Sequence, residues 1–157
     1  MTLRLAGLLA IFLQNHAGCV GAYDSLVPVP STTRTAVEAI IQRLPALRGQ
    51  YLPTLEASGL APKAELRGDR FRVNRDVEGE RVLVLDDTFT RGPSIFGAVA
   101  ALREAGAVIV GPVVLGRHVQ PSWGPSQKML AWLQERPWDE DRCCRCDGEY
   151  AQPGQLL

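Results

Sequence analysis

The stretch from Arg81 to Leu115 restricts the possible folds more than any other part of the chain. Val82-Leu83-Val84-Leu85 is an unbroken apolar run. It lacks the alternation of a strand with one wet face, so it reads as a strand covered on both faces, the condition found in parallel sheets. Ser94 to Ala105 then places Ile95, Val99 and Leu102 at helical spacing and stops at Gly106. Ala107 to Leu115 is a second β-branched apolar run. Strand, helix and strand in such quick succession form a βαβ crossover, so the sheet is at least partly parallel.

The remaining segments fit around that unit. Ser25 to Val29 reads as a strand, and Pro28 within it argues for a strand end or an unusual peptide. Thr35 to Leu44 reads as a helix with Val37, Ile40, Ile41 and Leu44 on one face and Pro45 as its stop. Gln50 to Gly59 reads as a short strand or loop followed by a turn. The charged stretch from Ala61 to Asp76 reads as a hairpin or a flap, Gln127 to Gln134 as a last helix, and Gly148 to Leu157 as a frayed tail. At the amino terminus Leu5, Leu8, Leu9, Phe12 and Leu13 share a broad apolar face, which predicts a buried amphipathic helix. Arg4, the apolar run and the small residues before Cys19 also resemble a bacterial lipoprotein signal, with His16 where such signals prefer an aliphatic residue. The run is too short to span a membrane. The division expected is an N-terminal helix over 1–23, a core over 24–120, and a C-terminal helix, Cys cluster and tail over 121–157.

With 157 residues the chain is long enough for one domain with a real core. Its 17 basic and 17 acidic residues cancel, and no basic excess marks a nucleic-acid surface. A cytoplasmic protein without nucleic-acid or membrane partners is the expectation.

The chemistry sits where the apolar run ends. Asp86 and Asp87 leave the strand at its carboxyl end, where open α/β sheets bind ligands. Carboxylates there can accept hydrogen bonds from paired sugar hydroxyls and orient a hydrated Mg2+. Thr90 and Ser94 add hydroxyls, and Gly92 lets the backbone approach closely. The amides of residues 90–94, backed by the helix dipole, suit a terminal phosphate. Pro93 fits the first helical position but offers no N–H. Aspartates at a strand end also serve as simple turn or helix caps.

This segment resembles the ribose-phosphate loop of the type I phosphoribosyltransferases: four apolar residues, two acids, two mostly apolar residues, then Thr-Thr-Gly-x-Thr/Ser. Here the series is Val82 to Leu85, Asp86-Asp87, Thr88-Phe89 and Thr90-Arg91-Gly92-Pro93-Ser94. Asp24 to Ser31 is similar to the first core strand and pyrophosphate loop of the ComF-like branch, and the likeness runs from about Asp24 to Arg117. The resemblance implies an α/β fold, a mostly parallel twisted sheet flanked by helices with a flap or hood segment. It implies 5-phosphoribosyl 1-pyrophosphate (PRPP) with Mg2+ as ligand, and an enzyme of nucleotide metabolism that moves phosphoribose to a nitrogenous acceptor with release of pyrophosphate. Asp86 and Asp87 would be the catalytic pair, holding the ribose hydroxyls and the metal shell. Thr90, Arg91, Gly92 and Ser94 would hold the 5-phosphate, and Ser31, Thr32, Thr33 and Arg34 the pyrophosphate. The segment from Ala61 to Asp76 corresponds to the flap that excludes water, with Arg70, Arg72 or Arg75 meeting the leaving group. The alternative is a non-catalytic ComF-like sensor or adaptor related to DNA uptake. A homodimer is left open. Arg91 departs from the family by replacing a Thr, and Thr90 stands where some purine-salvage members carry a general-base Asp. Asp86-x-Thr88-x-Thr90 also resembles an aspartyl-phosphate loop, with Asp86 as nucleophile. That chemistry wants a later lysine, and Lys128 is the only lysine downstream.

His16-x-x-Cys19 and Cys143-x-x-Cys146 have matching spacings at opposite ends of the chain. Together they are three thiolates and one imidazole, a set suited to a structural tetrahedral Zn2+ that would clip the amino-terminal helix to the carboxyl terminus. Cys144 would be the spare thiol. Free buried thiols, or a disulfide in an exported protein, are the simpler reading. His118 either lines an acceptor pocket or is a solvated strand-end residue.

Overall fold

The structure is a computed structural model that describes residues 2–31, 36–59, 68–136, 138–143 and 145–146. Its elements in chain order are α1 (Thr2–Asn15), α2 (Ala17–Val20), β1 (Ser25–Pro28), α3 (Ala36–Ile41), α4 (Pro45–Arg48), β2 (Leu55–Ala57), β3 (Phe71–Val73), β4 (Arg81–Asp86), α5 (Pro93–Glu104), β5 (Val108–Val114) and α6 (Gly124–Glu135). The main sheet has the order β1-β4-β5 and both pairings are parallel. A separate antiparallel pair joins β2 to β3.

The central strand shows why the apolar run is unbroken. Val82 and Val84 pack with Val27 against Ile95, Ala98 and Leu102 of α5, in a core that also takes in Leu55 and Phe71 of the small sheet. Leu83 and Leu85 point the other way, with Leu26, against Ala6 and Leu9 of α1 and Val37, Ile40 and Ile41 of α3. Alternate residues serve opposite faces, and both faces are covered by helices. The parallel pairing that the βαβ pattern predicts is therefore present, in the mostly parallel sheet flanked by helices that the resemblance implies.

Pro28 is the last residue of β1, opposite Leu85, and its peptide is not cis. The strand-end reading holds and the unusual peptide does not. The helix expected through Leu44 ends earlier, at Ile41. The amides of Arg43 and Leu44 bond to the carbonyls of Ile40 and Ile41, tightening the last turn into a 3-10 pattern. Pro45 does not merely stop that helix but opens α4, a role its fixed φ and missing N–H favour. The last helix starts at Gly124, ahead of Gln127. Part of the Ala61 to Asp76 segment is a hairpin partner, since β3 pairs with β2; residues 60–67 lie outside those described, as does the expected tail. In β5 an extra residue interrupts the register between Val82 and Leu83, and Pro112 is tolerated because β5 is an edge strand. Leu8, expected on the buried face of α1, is 39% exposed. Among the described residues no helix is long and apolar enough to cross a membrane.

Candidate functional site

Parallel registers send three connections out of the same end of the sheet. Pro28 lies opposite Leu85, and Asp86 opposite Val114, so the segments after β1, β4 and β5 emerge side by side. The segment after β4 is tied down at once. Leu115 N–H donates to the Asp86 carbonyl at 3.2 Å, Phe89 N–H to the Gly116 carbonyl at 2.8 Å, and His118 N–H to the Phe89 carbonyl at 2.8 Å. An isolated parallel bridge between Phe89 and Arg117 extends the ladder past the strand ends. The Phe89 ring meets Phe96 edge-on, with centroids 6.1 Å apart, and the Arg117 guanidinium lies over its face at 5.3 Å. The turn that carries the acids is thus fixed on both sides.

Within that turn Asp86 and Asp87 are half-buried. Asp86 Oδ1 accepts the Asp87 N–H at 2.9 Å, which sets the orientation of the first carboxylate. The chain then reaches Gly92, which caps α5 in the left-handed region with φ of 92°. A Cβ at this position would lie 2.5 Å from the Phe96 ring and 3.1 Å from the Phe89 ring, so the backbone conformation calls for glycine and any side chain here would also have to displace the Phe96 ring. Gly92 at the N-cap of α5 has no side chain to cap the helix, and the first N–H groups of α5 face the same end of the sheet as the acids. Ser94 is half-buried in that turn, and Thr90 and Arg91 are exposed beside it. Ser31, also exposed, closes the segment after β1. The structure therefore brings Asp86, Asp87, Thr90, Arg91, Gly92, Ser94 and Ser31 to one end of the sheet. Thr32, Thr33 and Arg34 lie outside the described residues. Sequence reasoning missed Gly116 and Arg117, which hold the turn through a backbone carbonyl and a stacked guanidinium; the β-branched run leading to them was the only signal.

Of the arginines expected to meet a leaving group, Arg75 does not. Its Nη1 and Nη2 each lie 2.6 Å from the Glu80 carboxylate, and its Nε donates to Thr54 Oγ1 at 2.9 Å. Ser25, which begins β1, is 3.5 Å away. These partners sit at the amino end of the sheet, opposite the acids. The Arg75 guanidinium also holds the Glu80 carboxyl below the usual range. Arg72 pairs with Glu56 at 3.0 Å on the small sheet, and Arg70 lies over the Phe71 ring.

The second cluster joins the two ends of the chain. The ligand atoms of His16, Cys19, Cys143 and Cys146 all lie within 4.8 Å of one another. Cys146 Sγ is 3.4 Å from Cys143 Sγ and 3.7 Å from His16 Nδ1. The other ring nitrogen of His16, Nε2, is 3.0 Å from the Glu140 carbonyl. A carbonyl only accepts, so Nε2 carries the proton and Nδ1 turns its lone pair toward the sulfurs. Partial burial pushes the Cys19 thiol up to about 11, with contacts to Cys143 and Cys146 adding to the effect. Burial also works to raise Cys143, but backbone N–H donors from Arg145 and Cys146 outweigh it and hold that thiol below its ordinary range. Cys144 lies outside the described residues.

No family model matches the chain. An orotate phosphoribosyltransferase of Pyrobaculum islandicum is 41% identical over 58 residues, covering 36% of this chain and 30% of that protein. The orotate phosphoribosyltransferase of Streptomyces avermitilis is 36% identical over 96 residues, covering 60% of this chain and 50% of that protein. Among solved structures, a phosphoribosyltransferase from Corynebacterium diphtheriae superposes with a TM-score of 0.46 at 25% identity, over 75% of this chain and 62% of that one. The allosteric regulatory enzyme of purine biosynthesis superposes with a TM-score of 0.49 at 23% identity, over 71% of this chain and 25% of that one. The matched segments span half or less of the length of these two curated relatives. In sequence the chain is similar to parts of orotate phosphoribosyltransferases.

Proposed function

We propose that the carboxyl end of the parallel sheet binds PRPP with Mg2+ and transfers its phosphoribosyl group to a ring nitrogen of a base, releasing pyrophosphate. One observation carries this reading: the Asp86-Asp87 pair at the end of β4 leads through one short turn to the glycine-capped start of α5. A sugar phosphate needs both features close together. Carboxylates accept from the ribose hydroxyls, while amides at a helix start, with Thr90 and Ser94 hydroxyls, hold the 5-phosphate. Arg91 offers a guanidinium where a hydroxyl is usual in the pattern, and a guanidinium can bind phosphate through two N–H groups. Ser31 stands on the neighbouring connection, on the side proposed for the pyrophosphate.

The transfer breaks the bond from the anomeric carbon to pyrophosphate oxygen and forms one to nitrogen, which gives up a proton. Positive charge grows on the sugar ring between these events. Two fixed carboxylates close to the ring stabilise that charge without having to reorganise. Asp86 is the better fixed, through its own strand pairing and the Asp87 amide. Half-buried carboxylates are hard oxygen donors, a set that fits Mg2+. When bound, the ion offsets charge on the pyrophosphate. Thr90 cannot act as a base, so the acceptor's proton passes to solvent or to the departing pyrophosphate.

The similarity to orotate enzymes supports the transfer reading, and no observation favours the ComF-like adaptor. It also makes orotate the first acceptor to try. The test is release of pyrophosphate from PRPP and Mg2+ with orotate, then with a panel of purine and pyrimidine bases. Acceptor-dependent release that disappears in Asp86→Asn and Asp87→Asn supports the proposal. A folded protein that releases none with any acceptor overturns transfer.

A further inference from the structure

We infer that His16, Cys19, Cys143 and Cys146 form a structural Zn2+ centre that fastens the junction of α1 and α2 to the segment following α6. The four ligand atoms lie at spacings around those an ion at their centre would set. With Zn–S of ~2.3 Å and Zn–N of ~2.0 Å, a tetrahedral site has sulfur–sulfur edges of ~3.8 Å and sulfur–nitrogen edges of ~3.5 Å. Here one sulfur–sulfur edge is 3.4 Å and one sulfur–nitrogen edge 3.7 Å, and no pair among the four ligand atoms exceeds 4.8 Å. Cys19, Cys143 and Cys146 are all free thiols.

The surroundings are those of a metal site too. The Glu140 carbonyl holds His16 by Nε2 and so presents Nδ1 as an unprotonated donor, the arrangement by which ligating histidines are oriented. Arg145 N–H donates to Cys143 Sγ at 3.4 Å and Cys143 N–H to Cys146 Sγ at 3.2 Å, bonds that spread the charge of thiolates. Three soft sulfurs and an imidazole select zinc over the hard ions, and four protein ligands leave no open position, so the role is structural. What it holds is clear from the contacts. Asn15 Nδ2 donates to Asp141 Oδ1 at 3.3 Å, and Arg145 Nη1 to the Val110 carbonyl of edge strand β5 at 3.2 Å. The same segment closes one side of a cavity of about 690 Å³ walled by Leu8, Phe12, Val113 and Trp138. None of the described residues of this segment belongs to either hydrophobic core, and a metal bond supplies what packing does not.

The test is the metal content of the full chain, purified under reducing conditions after growth with zinc. One zinc per chain is expected. Replacing it with Co2+ should give the intense visible bands of tetrahedral cobalt and the thiolate charge-transfer absorption in the near ultraviolet. Zinc should be lost in Cys146→Ser and kept in Cys144→Ser, and chelation should lower the melting temperature of the wild type. A folded wild type with no stoichiometric zinc and no tetrahedral cobalt spectrum overturns the inference. So does a Cys143–Cys146 disulfide whose reduced form binds no zinc, or full zinc retention in Cys146→Ser.

Discussion

Gly92 shows how much a single residue can fix. Its φ of 92° suits only glycine, and the Phe96 ring occupies the space a Cβ would need. Gly92→Ala should lower stability by about 1–3 kcal/mol, seen as an earlier denaturant midpoint, and should weaken any phosphate bound at the turn. The sequence shows a glycine in a turn, but not that two aromatic rings fill its open side, because Phe89 arrives there only through pairing with Gly116. At the opposite end of the sheet Asp24 takes the Arg81 N–H, Nε and Nη2, at 3.0, 3.2 and 2.8 Å. Those bonds hold its carboxyl down to about 2 from an ordinary 3.8. A depressed carboxyl stabilises the fold above its unfolded value, and that contribution is lost as pH falls through the folded value. Unfolding midpoints should therefore drop between about pH 4 and about pH 2, and the drop should be shallower in Asp24→Asn. Equal slopes would contradict the assignment.

At the scale of elements, β4 was the most legible part of the chain. A strand covered on both faces has no polar positions, and the run from Val82 to Leu85 has none. Burial follows: all four residues are 1% exposed or less. Leu83→Ala should cost about 2–5 kcal/mol by opening a cavity under α1 and α3, measured by equilibrium unfolding. The limits of α3 were less legible. Leu44 continues the apolar spacing, yet the helix ends at Ile41 because the local carbonyls are taken by a tighter turn. Arg75 was misplaced for a similar reason. Its neighbours in sequence are charged and look like a flap, while its partners Thr54, Ser25 and Glu80 come together only in the fold. Glu80→Gln should destabilise the protein without changing what binds at the far end of the sheet, an outcome that parallel unfolding and ligand titrations would check.

For the whole molecule, the two faces of one sheet account for most of the architecture, and the parallel registers account for the gathering of three connections at one end. The βαβ pattern of β4, α5 and β5 makes the parallel pairing and two of those connections legible, while the parallel placement of β1 beside β4 leaves no such mark in the sequence. The pairing of His16-x-x-Cys19 with Cys143-x-x-Cys146 was legible from spacing alone, but the Glu140 carbonyl that orients His16 was not, since a backbone acceptor leaves no mark in a sequence. The central claim is that Asp86 and Asp87 with the start of α5 form a ribose-phosphate site. Its most direct test is calorimetric titration of PRPP with Mg2+ into the wild type and into an Asp86→Asn/Asp87→Asn variant of matched fold. Saturable binding by the wild type at one site, abolished in the variant, is the predicted result. A folded wild type that takes up no PRPP, or a variant that binds it equally well, would contradict the account.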